Sequence, residues 1–86
     1  MNPRISEFFG IKVYMYFEDH NPPHFHVRYN EFECFIDIET LTIMEGKLPK
    51  KVEKLVTAWA ELYQEELRED WKLIQKWEKP NMIEPL

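Results

Sequence analysis

The chain has 86 residues, a formal net charge of −5 at pH 7 and one cysteine. A chain of this length holds one domain, and its acidic balance argues against duplex DNA as the main partner, because DNA phosphates are bound largely by Lys and Arg. A single thiol cannot form an internal disulfide, and the sequence has neither a membrane-length apolar run nor the apolar core of a signal peptide. We therefore expect a complete, single-domain protein (residues 1–86) in the cytoplasm, with no membrane partner.

The first half of the chain alternates between apolar and polar residues, as half-buried β-strands do. The alternation begins at Ile11 and is interrupted by two adjacent prolines before it resumes. Short connections, such as the turn at residues 30–31, indicate an antiparallel arrangement. We predict a sheet of three to four strands over residues 11–45, in which the fourth strand is short and lies around residues 41–44.

The second half changes to the spacing of three and four residues that is typical of an amphipathic helix. Its apolar stripe consists of Val52, Leu55, Val56, Trp59, Leu62, Tyr63, Leu67, Trp71, Ile74 and Trp77. The pattern predicts helical structure over residues 49–78, as one long helix or as two shorter helices with a break near Asp70. Residues 80–86 form an apolar tail that we expect to pack back on the domain. The predicted fold is a two-layer α+β domain with an N-terminal antiparallel sheet and C-terminal helices.

One segment is distinctive, because residues 19–27 (DHNPPHFHV) contain all three histidines of the chain. His24 and His26 are two positions apart on a predicted strand, so their side chains leave the same face with Cα atoms about 6.5 Å apart. We expect this face to point away from the core. The preceding Pro22 and Pro23 restrict the backbone and favour a rigid, pre-organised site.

Three kinds of site fit this histidine segment (residues 19–27). In a metal-independent ribonuclease or phosphoesterase, His24 and His26 would act as acid and base, with Arg28 stabilising the phosphate charge and Tyr16 in support. In a binding site, the contacts would come from the loop residues His20, Asn21, Pro22 and Pro23. In a metal-binding regulatory module the ligands would be His20, His24 and His26, with Asp19 or a distant carboxylate as another source of the third ligand. The spacing matches no strong zinc signature, so we predict no cofactor, and zinc is the candidate if a metal is bound.

Two simpler interpretations of the same residues remain open. Histidines on an exposed strand face are most often only solvated, and a diproline is most often a turn element. Buried histidines would instead be hydrogen-bonded to the diproline loop or to Asp19 and would stabilise the fold.

A cluster of lysines surrounds the predicted helix start, at Lys47, Lys50 and Lys51, with Lys54 one turn later. Free amide groups and lysines together can bind an anion or an acidic partner, although a solvated charged face is the simpler interpretation. Cys34 alternates with core positions, and we expect it to be buried and inert.

Six stretches of the sequence resemble the bacterial family called domain of unknown function 4160. They are residues 5–11 (ISEFFGI), 19–27 (DHNPPHFHV), 36–40 (IDIET), 45–49 (EGKLP), 59–62 (WAEL) and 83–86 (IEPL). The resemblance implies a bacterial, cytoplasmic protein and one half of a two-gene, toxin–antitoxin-like module. It implies no activity and no catalytic residue. Where relatives tend to have a turn glycine, this chain has Leu41, so a regular hairpin is not expected there.

Our leading hypothesis is a small component of such a module that acts by binding a protein encoded nearby. A homodimer is the alternative, because the chain is rich in aromatic residues and Phe35 places a large ring on the strand face opposite the core. RNA is a further candidate ligand under the ribonuclease hypothesis.

Overall fold

The computed structural model describes residues 3–86. One antiparallel sheet contains five strands in sequence order: β1 (Arg4–Phe8), β2 (Ile11–Tyr14), β3 (His24–Tyr29), β4 (Phe32–Asp37) and β5 (Ile43–Gly46). Two helices follow, α1 (Lys50–Leu62) and α2 (Gln64–Gln75). Within residues 3–86, neither helix has the length and apolar character needed to cross a bilayer.

The predicted α+β fold is confirmed, but the sheet has five strands instead of three or four. The missed strand is β1, which precedes the predicted start of the sheet at Ile11. Phe9 and Gly10 have positive φ angles of 52° and 77° and form the two-residue turn between β1 and β2. Two-residue turns of this kind usually carry Asn-Gly or Asp-Gly, so a phenylalanine at the first position gave no hairpin signal.

Asp37 organises the connection between β4 and β5, which contains no glycine. Asp37 Oδ1 accepts hydrogen bonds from the backbone N–H groups of Glu39 at 2.7 Å and Thr40 at 2.9 Å. Leu41 has a positive φ of 59°, and its N–H donates to the Asp37 carbonyl at 2.8 Å. The side-chain and backbone hydrogen bonds of Asp37 thus hold a leucine in a conformation that a glycine adopts at lower cost.

Helix α1 packs on one face of the sheet, and Leu67 and Ile74 of α2 belong to the same core. The buried sheet residues of this core are Ile5, Phe8, Ile11, Val13, Phe25, Val27, Cys34 and Ile36. Trp59 of α1 is completely buried, with its ring 5.5 Å from the Phe8 ring and 6.0 Å from the Phe25 ring. Burial raises the pKa of the Cys34 thiol to about 12, so this cysteine is protonated and unreactive at neutral pH.

The helical region is divided at Tyr63, whereas the sequence pattern suggested a break near Asp70. Tyr63 has φ −116° and ψ 29°, outside the helical range. The predicted apolar stripe is interrupted next to this break, where Leu62 is 68% exposed. Trp77, placed by the pattern at the end of the same stripe, is also exposed and follows the end of α2.

Residues 80–86 contact both β1 and α1. Ile83 is buried, and its N–H donates to the carbonyl of Ile5 at 2.7 Å. The Trp59 indole donates to the carbonyl of Glu84 at 2.7 Å. The tail therefore satisfies the polar atom of the largest buried side chain, as a buried indole requires.

Asp70 is buried beside this tail. Its Oδ1 accepts the Asn81 N–H at 2.8 Å, and its Oδ2 has no hydrogen-bond partner among the described residues. Burial raises the pKa of Asp70 to about 6, and the Glu66 charge acts in the same direction. An ionised Asp70 is therefore less favourable in the folded chain than in the unfolded chain.

We predict that Trp59→Ala lowers the free energy of unfolding by about 3–5 kcal/mol, because it truncates a fully buried aromatic side chain. Leu62→Ala, on the exposed side of the same helix, should change it by less than about 0.5 kcal/mol. Urea denaturation of both variants measures the difference. Equal midpoints for the two variants would mean that α1 does not pack through Trp59.

A second prediction concerns the pH dependence of stability. Because the folded pKa of Asp70 is raised from 3.8 to about 6, the folded state binds more protons than the unfolded state within that range. Stability should therefore fall as pH rises through it, and the full cost should be present above about pH 6. Between about pH 4 and pH 8, the wild type should lose on the order of 3 kcal/mol more than Asp70→Asn.

Thermal or urea melts over this pH range test the prediction, and contributions from other titrating groups cancel in the comparison of the two proteins. Glu69→Gln, which neutralises an exposed neighbour, is the matched control and should follow the wild type. Parallel pH profiles for wild type and Asp70→Asn would rule out the raised pKa.

Candidate functional site

The sheet face opposite α1 carries the residues singled out in the sequence. In the strand register, His26 on β3 lies between Tyr14 on β2 and Phe35 on β4. His24 lies on the same face, two residues earlier. Arg28, two residues later on this face, is exposed and lies between Lys12 of β2 and Glu33 of β4. This face is buried at the two histidines and open to solvent at Arg28.

His24 and His26 lie on the face opposite the core cluster, as expected, but they are only 7% and 2% exposed and so do not reach solvent. Aromatic rings from other segments cover them. Tyr16 stacks on the His26 ring at 3.7 Å, and Phe35 packs edge-on to it at 4.3 Å. On α2, Trp71 lies 5.4 Å from the His24 ring. Strand alternation identifies the face on which a side chain lies, but it does not show that a loop and a later helix cover that face.

The loop between β2 and β3 holds both histidines through hydrogen bonds. His24 Nδ1 donates to the Pro22 carbonyl at 2.8 Å, since a carbonyl oxygen can only accept. His26 Nε2 lies 2.7 Å from Asp19 Oδ2, and His24 Nε2 lies 3.2 Å from the same oxygen. The Asn21–Pro22 peptide bond in this loop is cis. These contacts agree with the structural interpretation of the histidines that the sequence left open.

The environment of the site keeps His26 and Tyr16 uncharged at neutral pH. Burial lowers the pKa of His26, and the hydrogen bond and charge of Asp19 oppose this shift only in part. His26 is therefore neutral and donates from Nε2 to Asp19, while its Nδ1 is buried without a partner among residues 3–86. Burial also raises the pKa of Tyr16, with the positive charge of Arg28 acting in the opposite direction, so the phenol stays protonated.

Of the other residues proposed from the sequence, Tyr16 and Pro22 contact the two histidines. His20 is exposed, and Asp19 takes the place that the sequence analysis gave to His20 beside His24 and His26. Arg28 pairs with Glu33 at 3.2 Å. Of the remaining loop residues, Asn21 and Pro22 are exposed and Pro23 is half-buried. The lysines Lys47, Lys50 and Lys51 are exposed around the start of α1, which has no side-chain cap.

Potential metal ligands meet in one place within residues 3–86. One ligand atom from each of Asp19, His24 and His26 lies within 4.8 Å of the other two. The set contains two imidazole nitrogens and one carboxylate oxygen. The sequence predicted the two histidines of this group but not the selection of Asp19 over His20, which depends on the path of the loop.

An aromatic pair lies beside this loop, in which Trp77 is exposed and Phe17 is half-buried against the core. Their rings are stacked 5.5 Å apart with an angle of 7° between their planes, and Trp77 is 66% exposed. Trp77 has a positive φ of 60° at the end of α2. Its N–H donates to the Ile74 carbonyl at 3.0 Å, and the Glu78 N–H donates to the Leu73 carbonyl at 2.9 Å. These two hydrogen bonds define a helix end at which glycine is usual, so the sequence gave no signal for an exposed tryptophan.

We predict that the double substitution His24→Ala/His26→Ala destabilises the fold by several kcal/mol. It removes two buried rings and leaves the Pro22 carbonyl and the Asp19 carboxylate without their partners, and each such loss costs about 1–3 kcal/mol. His20→Ala, at an exposed position in the same segment, should change stability by less than about 0.5 kcal/mol. Thermal melts of the three proteins measure this, and a double variant as stable as the wild type would exclude a structural role.

Comparison with known proteins identifies the family. The model of a family described as domain of unknown function (DUF4160) matches residues 10–72, which include the whole histidine segment, four of the five strands, α1 and most of α2. A search of curated proteins finds no match, and a search of solved structures finds none. The resemblance seen in the sequence motifs is thus confirmed, and the chain belongs to the DUF4160 family.

Proposed function

We propose that this chain acts by binding a small protein partner, as one component of a two-gene, toxin–antitoxin-like module in the bacterial cytoplasm. The observation that carries the proposal is the exposed Trp77 indole, which stacks on the half-buried Phe17 ring beside the histidine segment. The family resemblance supports the two-gene arrangement, and the pair supplies a surface through which a partner can be held.

The position of Trp77 is difficult to explain by folding alone. Its left-handed backbone costs an L-residue about 1–2 kcal/mol relative to glycine, which would end α2 equally well. Stacking on Phe17 offsets only part of this free-energy cost, because most of the indole surface stays in water. A strained residue that presents a large apolar ring to solvent indicates a functional surface, and tryptophan is strongly enriched at the centres of protein interfaces.

The geometry of the histidines favours binding over acid–base catalysis. A catalytic acid and base must reach a substrate phosphate, yet His24 and His26 lie beneath aromatic rings and their Nε2 atoms both face Asp19. The predicted anion-stabilising group, Arg28, is exposed and paired with Glu33. No observation therefore favours the ribonuclease hypothesis, whose acid, base and arginine would need to face one common space.

The charge of the chain indicates the chemistry of the partner. With a net charge of −5, the protein would attract a basic partner over distance, and an apolar pocket on that partner would receive the Trp77 indole. The interface should then have an apolar centre and a charged rim, and the affinity that the rim contributes should fall as the salt concentration rises. The homodimer is the competing occupant of this surface, although a second copy of the chain would bring the same negative charge and be repelled over distance.

We predict that Trp77→Gly strongly weakens partner binding without loss of stability. Glycine suits the left-handed position, so the gain in backbone energy of about 1 kcal/mol offsets the lost stacking on Phe17. Binding should fall by at least about 30-fold, as expected when a central tryptophan with a contribution of 2 kcal/mol or more is removed. Leu62→Ala, an equally exposed apolar position on α1, is the matched control and should bind normally.

The measurement is co-purification and calorimetry with the product of the adjacent gene, beside a growth assay in which the two genes are expressed separately and together. Light scattering of the chain alone completes the experiment. Binding that survives Trp77→Gly would contradict the proposal. A homodimer that Trp77→Gly converts to a monomer would assign the surface to self-association instead.

A further inference from the structure

We propose that Asp19, His24 and His26 form a binding site for one zinc-class divalent metal ion. The ligand atoms are the Nε2 atoms of the two histidines and a carboxylate oxygen of Asp19, which lie within 4.8 Å of one another. This proposal is independent of the partner-binding surface, because it rests on different residues and its test needs no partner.

The first argument comes from the hydrogen bond between His24 and Pro22. Because Nδ1 donates to the Pro22 carbonyl, a neutral His24 presents the lone pair of Nε2 to Asp19 Oδ2, 3.2 Å away. Two acceptors at this separation repel each other unless a positive charge lies between them. Either a metal ion or an additional proton on His24 supplies that charge. The hydrogen bond to Pro22 is also the outer contact that orients metal-binding histidines in known sites.

The second argument comes from the distances. Ligand atoms that lie 2.0–2.1 Å from a tetrahedral zinc ion are about 3.3 Å from one another. The separation of 3.2 Å between His24 Nε2 and Asp19 Oδ2 fits this value. The 2.7 Å between His26 Nε2 and Asp19 Oδ2 is a hydrogen-bond length and must increase by about half an ångström on metal binding. Asp19 can move by this amount because it lies in a loop, whereas the histidines are fixed on a strand with partners on both sides.

The chemistry of the ligands selects the class of metal. Two imidazole nitrogens and one carboxylate suit zinc, cobalt, nickel or ferrous iron, whereas calcium and magnesium prefer oxygen ligands alone. The Asp19 side chain is 20% exposed, so a fourth ligand can approach from solvent on that side. Tyr16 stacks on the His26 ring and Trp71 lies beside the His24 ring, so aromatic side chains shield the two histidines from water.

One contact limits the affinity of the site. When Nε2 of His26 binds the metal, Nδ1 carries the proton, and this buried nitrogen has no acceptor among the described residues. Outer hydrogen bonds of this kind contribute roughly 10–100-fold to metal affinity. We therefore expect weaker zinc binding than at sites in which every histidine has such a partner.

The test uses the full-length chain without a histidine tag, stripped of metal by a chelator. Titration with zinc in a calorimeter should give a stoichiometry of one, and magnesium should give no binding. Cobalt(II) provides a spectroscopic probe, and the wild type should show the intense visible bands of a four-coordinate nitrogen and oxygen site. Absence of zinc binding, or a cobalt spectrum identical to that of the aqueous ion, would overturn the proposal and leave a proton on His24 as the explanation of the 3.2 Å contact.

Three variants identify the ligands. Asp19→Asn preserves the shape of the side chain and should reduce zinc affinity by more than about tenfold, since loss of an outer-shell partner alone has at least that effect. Glu18→Gln removes the neighbouring negative charge and should bind zinc as the wild type does. His20→Ala separates the ligand set observed in the structure from the set suggested by sequence spacing, and it should leave affinity unchanged. Undiminished binding in Asp19→Asn, or loss of binding in His20→Ala, would contradict the site. If Asp19→Asn fails to fold, the wild-type cobalt spectrum still decides the question.

Discussion

The carboxylate of Asp19 contacts two imidazole nitrogens at 2.7 and 3.2 Å, and the arrangement of the candidate site depends on these two contacts. Buried polar groups must find partners, so the two histidines of β3 fix the position of the loop that supplies those partners. The loop in turn fixes Tyr16 over His26 and brings Phe17 to Trp77. A short polar contact in an aromatic environment thus positions both the candidate metal ligands and the stack of Phe17 on Trp77.

Local sequence patterns predicted the parts of the fold that depend on local physics. The alternation from Ile11 and the helical spacing from Val52 identified the sheet, the helices and the core around Trp59, because burial of one face imposes those periods. The pattern failed where the decisive contact is distant in sequence. Trp71 of α2 covers His24, and no residue near His24 in the sequence predicts this contact.

Backbone conformation accounts for the remaining differences. Phe9, Leu41 and Trp77 all have positive φ, where sequence analysis looks for glycine or asparagine. The sequence pattern therefore does not predict the strand before Phe9 or a regular hairpin at Leu41. It also places Trp77 in the core, although this side chain is exposed. In the candidate site, spacing identified His24 and His26, while the choice of Asp19 as their partner depends on a loop path that spacing does not specify.

The contact between the tail and β1 also affects how the sheet meets other molecules. β1 and β5 are the two outer strands, and the outer strand of any sheet offers unpaired backbone groups on which another chain can build. At β1 the carbonyl of Ile5 already accepts the Ile83 N–H, so the C-terminal residues cover this edge of the sheet. Within residues 3–86 no such contact covers the outer edge of β5, and displacement of Ile83 would leave the edge at β1 unpaired as well.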